Sequence, residues 1–164
     1  MAFFVLDNSI NYIYNKIIMN INKNDHTMLL TEVLSAKGIR PSYQRLKVLE
    51  YLHKHLIHPT AEQIYSALHE EIPTLSKMTI YNTVKVLEEA GLINSLLIDN
   101  ETRYDAHLDD HGHFRCSVCG QIVNFEINTC DIPIRGLNDY TITTRDVIFK
   151  GVCPSCLKNR TKEN

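Results

Sequence analysis

Read for the spacing of its apolar and polar positions, the chain changes character near Asp105. Before that point apolar residues recur at helical intervals; after it they fall into short β-rich runs. Met28, Leu29, Val33 and Leu34 predict a first helix that begins near His26 and stops at Gly38. Pro41 stands near the start of a second, which carries Tyr43, Leu46, Val48, Leu49 and Leu52 and is broken by His58-Pro59. Thr60 caps a third, with Ile64 and Leu68, and Pro73 ends it. Ser76 is the predicted N-cap of a fourth helix running to Gly91, with Ile80, Val84 and Leu87 on one face. Residues 92–98 and 102–105 then predict a hairpin around a polar turn. Beyond it, residues 113–116, 121–126 and 140–151 are strand-like, and Pro133, Gly136 and Asn138 mark turns around a short intervening element.

This order predicts an α+β chain: a winged helix-turn-helix over residues 26–105 and a small α/β domain over 106–164. In a winged helix one helix enters the major groove while the hairpin lies along the backbone. Lys77, Thr79, Tyr81 and Asn82 would then face bases or phosphates, and Arg40, Arg45 and Lys85 would add phosphate contacts. The competing reading of the same face is a solvated surface, with Tyr81 in the core. Residues 1–25 are rich in Ile, Asn, Tyr and Phe, and Asp7, Asn8 and Asn11 interrupt the apolar run. They read as an N-terminal extension, with Met19 or Met28 as alternative natural starts, and not as a signal peptide or a membrane span.

Composition adds two limits. At 44% hydrophobic and 22% charged, the 164 residues suit a soluble globular protein. The net charge of -2 provides no general basic attraction for nucleic acid, so a DNA-binding reading rests on the helix pattern.

The densest chemistry follows the hairpin. Cys116 and Cys119 form one C-x2-C and Cys153 and Cys156 a second, a spacing that favours a closed tetrahedral zinc site over disulfides and suits a reducing cytoplasm. Cys130 is left over as a structural or incidental thiol. His111 and His113, two apart on a strand, project to one face and predict a separate nitrogen/oxygen site open to other metals. His26, His53, His55 and His69 read as solvated or packing residues.

These segments in this order resemble the ferric uptake regulator family of bacterial metal-dependent repressors. The resemblance covers roughly residues 28–158 and is carried by residues 38–45 (GIRPSYQR), 58–65 (HPTAEQIY), 79–83 (TIYNT), Arg103-Tyr104-Asp105, His111-Gly112-His113 and the paired C-x2-C. It implies a homodimer joined by its C-terminal domains, which reads an inverted repeat in double-stranded DNA. It also implies structural Zn(II) on Cys116, Cys119, Cys153 and Cys156. Residues 58–61 and 103–105 look most like the peroxide-sensing branch, with Fe(II) or Mn(II) as corepressor. Carried over residue by residue, the regulatory ligands are His58, Asp105, His111 and His113, with His58 and His111 at positions oxidised by peroxide in that branch. The branch's fifth ligand, an aspartate, is replaced here by Asn124, a poorer donor to a hard cation that leaves the site one negative charge short. An iron- or zinc-responsive uptake regulator without peroxide sensing is therefore the alternative. Two rivals belong to other classes. One is a zinc-stabilised interaction module; the other is a metal-dependent hydrolase built on His111, His113 and Asp105, for which no H-E-x-x-H or G-x-S-x-G motif is present.

Overall fold

The computed structural model describes residues 23–160. The chain divides into two compact units, one ending at Leu108 and the other beginning at Asp109. The N-terminal extension assigned to residues 1–25 falls almost wholly outside the described residues.

The first unit contains α1 (Lys23–Ala36), α2 (Tyr43–Lys54), α3 (Ala61–His69) and α4 (Lys77–Glu89), then β1 (Asn94–Ile98) and β2 (Glu101–Asp105). Side-chain oxygens set three of the helix starts. Ser42 Oγ accepts from the Arg45 amide at 3.3 Å and Ser76 Oγ from the Thr79 amide at 3.1 Å. Thr60 and Gln63 close a reciprocal capping box, at 3.2 and 2.9 Å. Gly38 and Gly91, at φ 71° and 67°, let the chain turn back after α1 and α4 so that Ile39 and Leu92 bond to the Leu34 and Leu87 carbonyls.

Each helix buries one stripe. Leu30, Val33 and Leu34 meet Val48, Leu49 and Leu52 of α2, Ile64 and Leu68 of α3, and Ile80, Val84 and Leu87 of α4 in one core. Met28, assigned to the α1 stripe from its spacing, is instead 67% exposed. It lies two residues before Leu30, roughly 200° around the helix.

The hairpin turns through Asp99 and Asn100, both at positive φ (54° and 65°), the pair of left-handed residues that a two-residue turn needs to match strand twist. β2 is joined to the loop before α3. Thr60 bridges to Arg103, the Tyr104 amide donates to the Pro59 carbonyl at 3.0 Å, and Arg103 Nη1 donates to the His58 carbonyl at 3.1 Å.

The second unit is a three-stranded sheet ordered β4 (Ile122–Glu126), β3 (His111–Cys116), β5 (Ile148–Gly151), with a 3-10 turn at Thr129–Asp131 and a terminal α5 (Pro154–Arg160). β3 runs antiparallel to β4 and parallel to β5. The predicted strand over 140–151 forms only in its last part. The ladder to β3 opens where the His113 amide meets the Val147 carbonyl, and among the described residues no strand pairs with those before it.

Register divides the sheet's chemistry between its faces. Gly112, Phe114, Val123, Phe125 and Phe149 share one; His111, His113, Arg115, Asn124 and Glu126 share the other. Among the described residues of this unit only Gly112, His113, Cys116, Thr129 and Cys153 are buried, so it has almost no apolar interior of its own.

His53 provides a test of the first unit. Burial pushes its pKa down to about 4, with His26 adding to the shift; Glu50, 3.8 Å from His26, and Lys54 are the charged neighbours. The unfolded chain takes up this proton near 6.5, before the folded chain does. Stability from this group is therefore full above that pH and is lost as pH falls towards 4. His53→Gln is expected to flatten the pH dependence of the denaturant midpoint between pH 7 and 4.5 by at most about 3 kcal/mol. A slope equal to the parent's would refute the assignment.

Candidate metal centres

The four paired cysteines converge. β3 ends on Cys116, and a tight turn closed by the Gly120 amide on the Cys116 carbonyl (3.1 Å) returns Cys119 to the same place. Cys153 follows β5, which is in register with β3, and Cys156 lies in the first turn of α5. All four cysteines are free thiols, and their sulfurs lie within 4.8 Å of one another, with Cys119 and Cys153 3.8 Å apart. A tetrahedron of thiolates around zinc, with bonds of about 2.3 Å, has edges of about 3.8 Å. The donor set and its spacing thus fit a closed zinc site.

The protons on these sulfurs are unevenly held. The Cys119 and Cys153 amides donate to the Cys116 sulfur, the latter at 3.3 Å, and draw that thiol down to about 6. Cys156 is pushed up to about 12, first by its hydrogen bond with Cys153 and then by burial. Cys130 stands apart from this cluster, with Arg145 Nη1 at 3.1 Å from its sulfur.

Nitrogen and oxygen donors occur as a pair in each unit. In the first, His58 is 1% exposed and holds a left-handed backbone (φ 52°) just before Pro59, a costly conformation for a residue in that position. Asp105, 3% exposed, ends β2. One of its carboxylate oxygens accepts from the His107 amide at 2.8 Å, and the other lies 3.5 Å from His58 Nε2. The hold of Arg103 on the His58 carbonyl fixes this pair, a role that only the tertiary contact reveals.

In the second unit His111 Nδ1 donates to the Asp109 carbonyl at 2.7 Å, which turns Nε2 towards His113. That nitrogen lies 3.0 Å from His113 Nε2, the separation of two nitrogens bound side by side to one cation at about 2.1 Å. Asn124 pairs with His113 across the sheet, and its Oδ1 is buried without a hydrogen-bond partner. Gly112, between the histidines, is required sterically: a Cβ there would meet Phe125 Cζ at 2.2 Å, where the ring crosses β3 to stack on Phe149 at 5.2 Å.

Of the residues assigned to DNA, Lys77, Thr79, Tyr81, Asn82 and Lys85 lie on α4, Arg45 on α2 and Arg40 in the loop before it. Lys77, Tyr81, Asn82 and Lys85 are exposed, so Tyr81 is not a core residue. Thr79 is half-buried, with its hydroxyl 2.8 Å from that of Ser76. Arg40 is exposed, and Arg45 donates to the Arg40 carbonyl at 2.7 Å. Lys77 is bonded to Glu62 and sits 5.5 Å from the Tyr65 ring centre, contacts that no sequence spacing signals.

Comparison with known proteins agrees with this arrangement. The model of the ferric uptake regulator family matches residues 36–146. The peroxide-responsive repressor PerR of Staphylococcus aureus strain Mu50 is 35% identical over 127 residues, 75% of this chain and 86% of that protein. Two solved structures share the fold. The Vibrio cholerae ferric uptake regulator has a TM-score of 0.60 at 21% identity, covering 75% of this chain and 98% of that one. The Helicobacter pylori regulator has a TM-score of 0.61 at 20% identity, covering 90% and 93%. The chain belongs to the ferric uptake regulator family, and so to the transcriptional repressors rather than to a class of enzymes.

Gly112→Ala tests the packing beneath the histidine pair. It is expected to displace Phe125 and to destabilise the second unit by about 1–3 kcal/mol. This can be read from denaturant midpoints at matched metal content, and a midpoint equal to the parent's would show that the ring does not depend on the glycine.

Proposed function

We propose that this chain is a cytoplasmic, homodimeric repressor that binds an inverted-repeat operator when Fe(II) or Mn(II) is bound and releases it on exposure to peroxide. Zn(II) on Cys116, Cys119, Cys153 and Cys156 is structural in this reading. The regulatory ligands are His58 and Asp105 from the DNA-reading unit (residues 26–105) and His111 and His113 from the dimerisation unit (106–164), with the Asn124 amide oxygen as a further donor.

The observation that carries this reading is the preparation of both donor pairs. His58 is kept buried in a strained backbone beside the Asp105 carboxylate, and the His111 and His113 nitrogens are separated as ligands of one cation require. Taking donors from both units couples cation occupancy to the orientation of two α4 helices in a dimer, whose half-sites are spaced by about a helical turn. Such coupling is typically about 5- to 150-fold in affinity. The apolar sheet face, with Val123 43% and Phe149 57% exposed, supports pairing with a second copy. Exposed Lys77, Tyr81 and Asn82, with half-buried Thr79, suit base or phosphate contacts, and Arg40, Arg45 and Lys85 suit phosphates. Among the described residues no helix is long and apolar enough to cross a membrane.

Bound Fe(II) would supply the reduction of peroxide; the chain supplies the imidazoles, of which His58 and His111 are the oxidation targets. Asn124 favours a second reading, a metal-responsive repressor indifferent to peroxide, because its neutral donor leaves the site short of charge.

One experiment separates the two: operator binding by the zinc-loaded dimer with added Mn(II), Fe(II) or Zn(II), each with and without hydrogen peroxide. Peroxide is expected to abolish binding only for the Fe(II) form, with one added oxygen on His58 or His111 by mass spectrometry. Retained binding with no added oxygen selects the second reading. A His58→Ala, His111→Ala, His113→Ala variant that stays folded is expected to lose the metal-dependent gain in affinity. Metal-independent tight binding by that variant refutes both.

A further inference from the structure

The contact between Glu62 and Lys77 has no role in the metal chemistry. Lys77 is the first residue of α4, where the partial positive charge of a helix N-terminus disfavours a cation. The helix's own electrostatics therefore give no reason for a lysine there, whereas an anion brought to that end would be bound by both. In the unbound chain the anion is the Glu62 carboxylate, on the first turn of α3, and the ammonium lies 5.5 Å from the Tyr65 ring centre. Lys85, also on α4, has its own carboxylate in Glu89, at 3.9 Å. With a net charge of -2 the chain has no surplus of cations to offset this pairing.

We propose that Glu62 is an internal competitor for DNA phosphate: it occupies Lys77 in the free protein and so lowers affinity for DNA of any sequence. This rests on the DNA-binding reading of α4. Phosphate contact requires Lys77 to exchange Glu62 for the backbone, and a counterion must then settle on the vacated carboxylate. Both groups are exposed, so the effect is modest and salt-dependent. Phosphate contacts carry no sequence information, so operator and unrelated duplex are weakened alike.

The test is Glu62→Gln in the full chain, which leaves the Thr60–Gln63 capping box in place. Affinities for the operator and for an unrelated duplex are measured against salt concentration. The variant is expected to bind both about two- to fivefold more tightly at low salt for each protomer on the duplex, with the slope of log K against log salt steeper by up to about 0.9 per protomer. In a Lys77→Gln background the same substitution is expected to change little. Unchanged or weaker binding by Glu62→Gln overturns the proposal, as does an equal gain without Lys77, which would mean that Glu62 repels DNA directly. A parent chain that binds no DNA with any metal overturns the DNA-binding reading and this inference together; binding by the parent with no effect of Glu62→Gln overturns only this inference.

Discussion

Four sulfur atoms within 4.8 Å of one another tie together a unit that buries almost nothing else. β3 ends on Cys116 and runs beside β5, which leads to Cys153, and α5 carries Cys156. About 50 residues with an exposed apolar sheet face cannot offset the entropy of ordering the chain by packing alone. Metal–thiolate bonding would supply folding free energy directly, and under the proposed function pairing of the apolar face with a second copy would add burial. The polar face, carrying His111 and His113, takes its register from the pairing of β3 with β4 and β5.

In the first unit the balance is reversed. A full apolar core fixes four helices, and that stability tolerates a strained residue. His58 keeps its left-handed backbone because Arg103 grips its carbonyl and Tyr104 bonds to Pro59, so the hairpin root over-determines the loop. The hairpin thus fixes the position of a buried imidazole.

What the sequence made legible follows from the range of each interaction. Helix stripes, caps at Ser42, Thr60 and Ser76, and stops at Gly38 and Gly91 are local, and they stand where spacing placed them. The C-x2-C pairs are local within each turn, and two such turns have few ways to meet except around a common cation. Met28 failed because an apolar residue near a stripe was counted without its angle around the helix. Residues 140–147 read as a strand from composition, but a strand needs a neighbour, and no single-chain pattern announces one. The pairing of His58 with Asp105 joins distant positions and that of Glu62 with Lys77 spans 15; the first is reachable only through family resemblance, the second not at all.

The placement of the two cysteine pairs also governs the order of events during synthesis. Cys119 and Cys153 are separated by 34 positions, and β5 lies between them in the chain. A nascent chain leaving the ribosome therefore exposes one thiol pair well before the other is made. During that interval the first pair can hold a cation only as a half-site open to buffer thiols and oxidants, and the closed cage becomes available only once β5 has docked.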